Sequence, residues 1–248
     1  MHARLPACDE VEVPTNPMMQ RTRAAGIAIA AATIISTIFV AMDRSGGGTS
    51  PLEILQGIAG LLMLKEVVHG VAIASVCGYA FGYSTLARRL GLHRPLVLAG
   101  LSAYLFGCVA MIGATILDGF VTPHIAAEAI TGSPEVVKFA YRLVYFIGTV
   151  LNDLAKLGWV LQAVGTLAWS VALLHRSGFS RAIGVVGFVS SGLVVALIAV
   201  SETNMSMTSL LSVLFAQLIW NLAAAALLLR DPNRVAQSAK VQRHALAS

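Results

Sequence analysis

Six long apolar runs, with few charges inside them, constrain this chain more than any other feature of its sequence. The first run, 24–42, is long enough as a helix to cross a hydrocarbon core of about 30 Å. Further runs follow at 58–83, 96–117, 154–175, 183–200 and 208–229. Because lipid cannot satisfy backbone polar groups, such runs must become helices. The sequence therefore predicts an all-α integral membrane protein, with a bundle of about six transmembrane helices in residues 24–230.

The composition excludes an ordinary soluble domain. Charged residues make up only 12% of the chain and hydrophobic residues 57%, whereas soluble domains are about 25% charged. The mean hydropathy of +0.79 agrees. The net charge of +5 comes mainly from basic residues that flank the apolar runs. That placement indicates membrane orientation rather than a nucleic-acid site, so the expected partner is the lipid bilayer and no nucleic acid.

The basic residues also predict an orientation. If the N-terminus is cytoplasmic, only Arg44, Lys138 and Arg142 fall on the opposite side, while Lys65 and Lys156 lie within spans. The remaining basic residues are then all cytoplasmic: Arg4, Arg21, Arg23, Arg88, Arg89, Arg94, Arg176, Arg181, Arg230, Arg234, Lys240 and Arg243. This asymmetry follows the positive-inside rule. We expect a multi-pass protein of the bacterial inner membrane with both termini cytoplasmic, a disordered tail at 1–23 and a second tail at 231–248.

Two Ser-Pro pairs predict helix starts. Ser50-Pro51 precedes Glu53, which suits a capping box, and that helix is expected to run to about Tyr83. Ser133-Pro134 starts a stretch that continues to His175 without a helix breaker. Because this stretch is too long for one simple span, we expect one long or kinked helix whose second half crosses the membrane, with a loop-like or interfacial first half. A seventh span at 136–152 is the alternative.

The third predicted span carries small residues at regular spacing. Ala99, Ala103 and Gly107 recur every four residues, a pattern that lets a neighbouring helix approach closely. Asp118-Gly119 is expected to end this span, and a short helix is expected at about 123–130.

Ionisable residues inside spans are costly, so they are the first candidates for function. Lys65, Glu66 and His69 lie within one arc of the second predicted span, since their spacings are i,i+3 and i,i+4. From Ser84 at the cytoplasmic end of its helix, Glu66 is roughly 27 Å away at 1.5 Å per residue. This height is near the outer boundary of the core.

A second polar face lies on the fourth predicted span. Arg142, Tyr145, Thr149, Asn152 and Lys156 follow a spacing of three and four residues, with Asp153 at the edge. Lys156 lies roughly 28 Å from the cytoplasmic end of its helix at 1.5 Å per residue, which matches the height of Glu66. Glu66, His69, Asp153 and Lys156 are therefore predicted to share a pocket that opens to the periplasmic side. The full candidate site is Lys65, Glu66, His69, Asp118, Asn152, Asp153 and Lys156.

Simpler interpretations of these charges stay open. Lysine can snorkel to water at the membrane interface, and Asp153 with Lys156 can form a local i,i+3 pair. Gln217 and Asn221 on the sixth span are more typical of hydrogen bonds between helices than of a ligand site.

No nucleotide-binding or hydrolase motif occurs in the sequence. The leading functional hypothesis is a transporter of a small solute or ion, or a membrane receptor for a small ligand, with its polar site near the outer leaflet. One alternative is a non-catalytic accessory or assembly subunit, with a homo-oligomer or a membrane partner left open. Another is a membrane-bound enzyme or a haem-linked redox protein, in which His69 and His124 would be axial ligands. No metal site and no other cofactor are expected.

Overall fold

The structure, a computed structural model, describes residues 17–42, 47–200 and 207–230. Its elements in that part of the chain are α-helices joined by short loops and by one π-helical turn at Leu117–Val121. The α-helices are α1 (Pro17–Met42), α2 (Pro51–Ala59), α3 (Leu62–Leu90), α4 (Pro95–Ile116), α5 (Thr122–Ala129), α6 (Pro134–Leu174), α7 (Phe179–Val200) and α8 (Met207–Leu229).

Six helical stretches of the described chain are long and apolar enough to cross a membrane. They are α1, α3, the continuous stretch Pro95–Ala129, α6, α7 and α8. The predicted fold class, an all-α membrane bundle of about six spans, is confirmed. In chain order these helices form a closed ring, because α1 packs on α3 and α8, α4 lies between α3 and α6, and α7 lies between α6 and α8.

Several predicted boundaries need correction. Helix α1 starts at Pro17, so 17–23 is helical; the rest of the predicted tails, 1–16 and 231–248, lies outside the described residues. The helix expected from Ser50 to Tyr83 is interrupted at Gly60-Leu61, where glycine disfavours a helix interior. The π turn carries the third span past Asp118-Gly119 and directly into α5, so the span does not end there.

Helix α6 is one uninterrupted helix of 41 residues. The prediction of one long helix is confirmed, whereas a loop-like first half is excluded and 136–152 is not a separate seventh span. The reason is local: Pro134 pre-sets the first turn, and no residue before His175 breaks the hydrogen-bond ladder.

Both predicted helix starts are confirmed. The Ser50 hydroxyl accepts a hydrogen bond from the Glu53 N–H at 3.3 Å, and the Ser133 hydroxyl accepts one from Val136 at 3.5 Å. The Glu53 carboxylate in turn accepts the Thr49 N–H at 2.9 Å. The backbone hydrogen bond from Thr49 is the largest effect on this exposed carboxyl and lowers the pKa of Glu53 below its ordinary value. These bonds satisfy N–H groups that a helix start leaves open.

Glycines let α4 and α6 pack backbone to backbone. A Cβ atom on Gly107 would lie 2.7 Å from the Gly158 carbonyl, and one on Gly165 would lie 2.7 Å from the Gly100 carbonyl. The two contacts are seven residues apart on each antiparallel helix. Of the predicted stripe on this span, Gly107 is buried in the contact, whereas Ala99 is exposed. No larger residue fits at these crossing points.

Four aromatic side chains close one end of the ring. This aromatic cluster consists of Tyr83, Tyr104, Trp169 and Trp220, all at most 2% exposed. The Tyr83 ring stacks between Trp169 and Trp220, with centroids 5.2 and 6.2 Å away, and Tyr104 lies tilted against it at 4.5 Å. Beyond the cluster is the basic end of the bundle, defined by the loops 91–94 and 175–178, where Arg89 donates to the Leu227 carbonyl at 2.7 Å.

The opposite end carries a small additional layer, here named the cap, which consists of α2, α5 and residues 134–153 of α6. It has its own apolar core of Leu55, Ala126, Ala129, Val137 and Ala140. The bundle is therefore tightly closed at its basic end and extended by the cap at the other.

Candidate functional site

A cavity of about 380 Å³ lies between the aromatic cluster and the cap. Its walls come from α1, α3, α4, the π turn, α6 and α8, so the ring of spans surrounds it. Tyr104 of the aromatic cluster forms part of its wall, and His69 and Asp118 are its charged or titratable groups besides tyrosine. Binding pockets for small molecules fall in the range of about 300–1,000 Å³.

At the cap side of the cavity, three ionisable residues meet. Lys65 donates from Nζ to Asp118 Oδ1 at 2.9 Å, and His69 Nε2 lies 2.9 Å from Asp118 Oδ2. Lys65 and His69 are buried, and Asp118 is partly buried. This group is called the Lys–His–Asp cluster below. From Leu90 at the basic end of α3, His69 lies roughly 31 Å away at 1.5 Å per residue, near the outer limit of a bilayer core.

The second ring nitrogen of His69 decides how many protons the cluster holds. His69 Nδ1 lies 2.8 Å from the backbone carbonyl of Lys65, which can only accept, so Nδ1 carries a hydrogen and donates it. The contact between Nε2 and Asp118 Oδ2 then needs one more proton, which the imidazole, a stronger base than a carboxylate, carries on Nε2 and donates to Asp118. The geometry is satisfied only when the His69–Asp118 pair holds that proton.

The π turn places Asp118 in this contact. The Thr122 N–H bonds to the Leu117 carbonyl, five residues earlier, and the Thr122 hydroxyl donates to the same carbonyl at 2.8 Å. Pro123 favours this wider turn because it has no N–H and clashes with the carbonyl four residues before it. Gly119 then packs directly on the His69 ring, where a Cβ atom would overlap it. The π turn thus directs the Asp118 carboxylate toward His69, and the glycine at position 119 leaves space for the His69 imidazole.

The remaining polar wall is made of neutral groups. The Tyr79 hydroxyl lies 3.1 Å from Ser36 Oγ and donates to Thr33 Oγ1 at 3.3 Å. Asn221 accepts from the Tyr83 hydroxyl at 2.6 Å, which connects the cavity to the aromatic cluster. Asn152, Gln162 and Gln217 line the cavity as well. The site therefore pairs one charged end with hydroxyl and amide groups along apolar and aromatic walls.

The structure brings together part of the predicted site. Lys65, His69 and Asp118 form the Lys–His–Asp cluster, and Asn152 lies on the wall of the same cavity. Glu66 points elsewhere: its Oε1 atom lies 3.7 Å from Nε2 of His124 on α5.

On α6, too, only part of the predicted site reaches the cavity: Asn152 does, and the neighbouring charged residues do not. Asp153 is exposed and Lys156 is half-buried, and neither is among the described residues that line the cavity. Arg142, Tyr145 and Thr149, on the same predicted polar face, are exposed.

The geometry also bears on haem. Both ring nitrogens of His69 lie at hydrogen-bonding distance from oxygen atoms, and His124 Nδ1 lies 2.9 Å from the Phe120 carbonyl. Neither ring is presented with a free nitrogen toward a shared space, as paired axial ligands require. Within the described residues, no group of three or more His, Cys, Asp or Glu side chains could hold a metal ion.

Sequence reasoning missed several contributors. Asp118-Gly119 is predicted to end a span, but the π turn at Leu117–Val121 continues it, and Pro123 is the local residue that favours such a turn. Asn221 makes the predicted hydrogen bond between helices, to Tyr83, but the sequence did not show that Gln217 and Asn221 also line the cavity. Tyr79, Ser36 and Thr33 gave no sequence signal, because single hydroxyl residues are common in transmembrane helices.

Comparison with known proteins finds no matching family model, no similar curated protein and no similar solved structure. The functional assignment is therefore built on the geometry of the chain itself.

Proposed function

We propose that this membrane protein binds a small organic solute in the 380 Å³ cavity and carries it across the bilayer. The observation that carries the proposal is the position of the cavity: it lies inside the ring of spans, at membrane depth, with ionisable groups at one end. Polar space of this kind is costly within a bilayer and is typical of substrate pathways. Transport proteins place such sites between spans that can move relative to one another.

The closure of the basic end also supports a carrier. The aromatic cluster and the contact between Gly100 and Gly165 lie between the cavity and that end. An open channel would need a continuous polar path, whereas a carrier keeps one side closed at a time. A receptor for a small ligand would use the same cavity without opening the basic end, so uptake distinguishes the two.

The test is to fill the cavity without altering the lipid-facing surface. Ala72 lines the cavity, and Ala74, two residues along the same helix, is exposed. In the full-length protein in proteoliposomes, uptake of labelled amines, carboxylates and sugars is measured for both variants. We expect Ala72→Phe to reduce binding and uptake of the accepted solute at least about tenfold, as expected when a bound group is excluded from its pocket. Ala74→Phe is expected to match the wild type.

The outcomes separate the hypotheses. If the wild type binds and takes up the solute and Ala72→Phe abolishes both, the carrier hypothesis is supported. Binding without uptake would favour a receptor. If no solute of any charge binds, or if both variants behave alike, the cavity is not a solute site.

A specific observation also favours the second candidate, an accessory or assembly subunit. Tyr145 is 71% exposed and Phe146 65% exposed on the N-terminal half of α6, next to the exposed Arg142. Aromatic and arginine residues are enriched in protein–protein interfaces. Under this hypothesis Tyr145→Ser changes the assembly size of the purified protein in native-lipid particles. Under the carrier hypothesis it leaves solute binding unchanged.

A further inference from the structure

We propose that the His69–Asp118 pair holds one exchangeable proton, and that a solute with a protonated amine displaces it by binding to Asp118. This inference rests on the proposed function, since it names the chemistry of the solute for the same cavity. It makes the protein a proton-coupled carrier of organic cations.

The starting point is the proton count of the pair. His69 Nδ1 donates to the Lys65 carbonyl, and the 2.9 Å contact from Nε2 to Asp118 Oδ2 needs one shared proton. With that proton and the Lys65 ammonium, the Lys–His–Asp cluster has a net charge of +1. Without the proton, two lone pairs would face each other at Nε2 and Oδ2. Loss of the proton therefore breaks this contact and releases one carboxylate oxygen toward the cavity.

The cavity wall favours a cation over an anion as the incoming group. Asp118 lines the cavity, and its side chain is 29% exposed, whereas Lys65 is not among the described lining residues. The His69 ring also lines the cavity, but both of its nitrogens are engaged by oxygen acceptors. An entering anion would meet a carboxylate and no uncommitted N–H of His69. An entering ammonium group meets an acceptor that has spare lone pairs.

The exchange step balances in protons and in charge. The solute arrives as an ammonium ion and donates one N–H to Asp118 Oδ2, while the shared proton leaves His69 Nε2 for a water molecule in the cavity. No covalent bond to the solute forms or breaks. The cluster with its solute again has a net charge of +1, because the solute adds the charge that the proton removes. In a medium of low dielectric constant, an exchange at constant charge avoids the cost of adding charge.

Lys65, bonded to Asp118 at 2.9 Å, is the charged group that faces the pair most closely. Glu66 of α3 is engaged with His124 of α5 at 3.7 Å, and Glu128 of α5 is exposed. The charged side chains of α6 in this half, Arg142, Asp153 and Lys156, are not among the described lining residues. The described lining residues on α1, α4 and α8 carry no charge. The wall has two further titratable groups among its described residues, Tyr104 on α4 and Tyr79 on α3. Protonation near His69 therefore depends mainly on the Lys–His–Asp cluster itself.

The rest of the wall suits the organic part of such a solute. Tyr104, Met111 and Trp159 supply aromatic and apolar parts of the cavity wall. Aromatic faces attract organic cations, and methionine adapts to irregular apolar groups. A small amine with one aromatic ring fits both features of the wall.

The experiment uses the full-length protein in lipid nanodiscs and N,N-dimethylbenzylammonium as the probe. Binding is measured by calorimetry, and proton release by a pH indicator in weak buffer. We expect about one proton to be released for each bound amine, and the affinity to fall about tenfold for each unit of pH below the release range, as linkage requires. Benzyltrimethylammonium has the same charge and no N–H donor. It is expected to bind at least about tenfold more weakly, which is the loss of one charge-assisted hydrogen bond.

Matched variants assign the effect to the pair. Asp118→Asn is expected to abolish proton-linked amine binding, whereas Asp153→Asn, an equal change of charge at an exposed site, keeps it. His69→Gln is expected to bind the amine without dependence on pH. Because either cluster variant can lose folding, a second measurement uses the wild type alone: ¹⁵N-histidine spectra are expected to show a doubly protonated ring that loses its Nε2 proton on addition of the amine.

The outcomes separate this inference from the proposed function. Amine binding without proton release would overturn the proposed proton exchange, and so would equal binding and proton release with the quaternary analogue. Neither result would contradict the proposal that a solute binds in the cavity. Amine binding that Ala72→Phe does not affect overturns the cavity itself, and with it both proposals. An unchanged His69 spectrum on saturation with the amine also overturns the exchange.

Discussion

The two halves of the bundle are packed in different ways. Toward the basic end, aromatic rings and a glycine contact fill the interior: Gly165 lies against the Gly100 carbonyl, and Tyr83 stacks with two tryptophans. Toward the cap, the interior holds a cavity of about 380 Å³ lined by hydroxyl, amide and ionisable groups, with α4 and α6 still in contact at Gly107 and Gly158 beside it. Small and aromatic residues thus produce rigidity in one half, and polar residues keep space open in the other. This division is what a carrier closed on one side requires.

The largest expected effect contrasts two tyrosines on one helix. Tyr83→Ala removes a fully buried ring from the aromatic cluster and is expected to cost about 3–5 kcal/mol in the free energy of unfolding. Tyr79→Ala, on the cavity wall, enlarges a space that already exists and is expected to cost less than about half as much. Thermal unfolding in detergent, read by intrinsic fluorescence, compares them. Equal losses would show that the two halves are packed alike.

The next effect concerns the glycine contacts. Gly107→Leu places a side chain against the Gly158 carbonyl and Gln162, and is expected to cost about 1–3 kcal/mol or more by overpacking. Gly148→Leu on α6 is the control, because a Cβ atom there meets nothing within 4 Å. The shift in melting temperature is the measurement. A stable Gly107→Leu variant would mean that α4 and α6 can separate without loss.

A smaller effect is expected at the π turn. Gly119→Ala must displace the His69 ring, because the new Cβ atom would occupy its place. We expect about 1 kcal/mol of destabilisation, within the usual range for a mild steric change, together with a changed His69 environment in ¹⁵N spectra. Gly113→Ala is the control, since its nearest neighbour would be the Leu154 side chain at 3.6 Å. Identical spectra for both variants would contradict the role given to Gly119.

The smallest effect is a dependence on pH within the cap. Hydrogen bonds from Thr49 lower the pKa of Glu53 in the folded state below its ordinary value of 4.5. The stabilisation is therefore fully present above about pH 4.5 and is lost as the pH falls toward the folded-state pKa. Wild type and Glu53→Gln are expected to converge in melting temperature at acidic pH. If the difference in melting temperature between wild type and Glu53→Gln stays constant as the pH falls below about 4.5, the Glu53 carboxylate does not stabilise the fold in this way.

Much of the fold follows from the sequence because membrane spans obey simple rules. Length, polarity and helix caps predict six spans and the starts at Pro51 and Pro134. The single long helix α6 is also predicted, whereas the break at Gly60-Leu61 is not. Gly60 weakens the helix locally, but the break also accompanies the packing of α2 in the cap, where Leu55 contacts Ala126 and Val137. Such contacts between distant segments leave no local pattern.

The sequence also predicts only part of the candidate site. Charge within a span singles out Lys65, His69 and Asp118, and helical spacing places the first two on one face. Which carboxylate they meet is decided by the π turn, and the choice between Glu66 and Asp118 cannot be made from spacing alone. Matching heights suggested Glu66 with Lys156, but height does not specify the rotation of a helix about its axis. Rotation is determined by tertiary packing.

The length of α6 has a mechanical consequence. An uninterrupted helix of 41 residues is roughly 60 Å long at 1.5 Å per residue, with its glycine contacts to α4 at Gly158 and Gly165. Taking Gly158 as a fulcrum, the Pro134 end is a lever arm of roughly 36 Å at the same rise per residue. Rocking the helix as a unit by about 5° would move that end through about 3 Å, a displacement typical of hinge and shear transitions. Glycines at the fulcrum, which have no side chains to interlock, would let a small rotation inside the bundle be amplified at the cap.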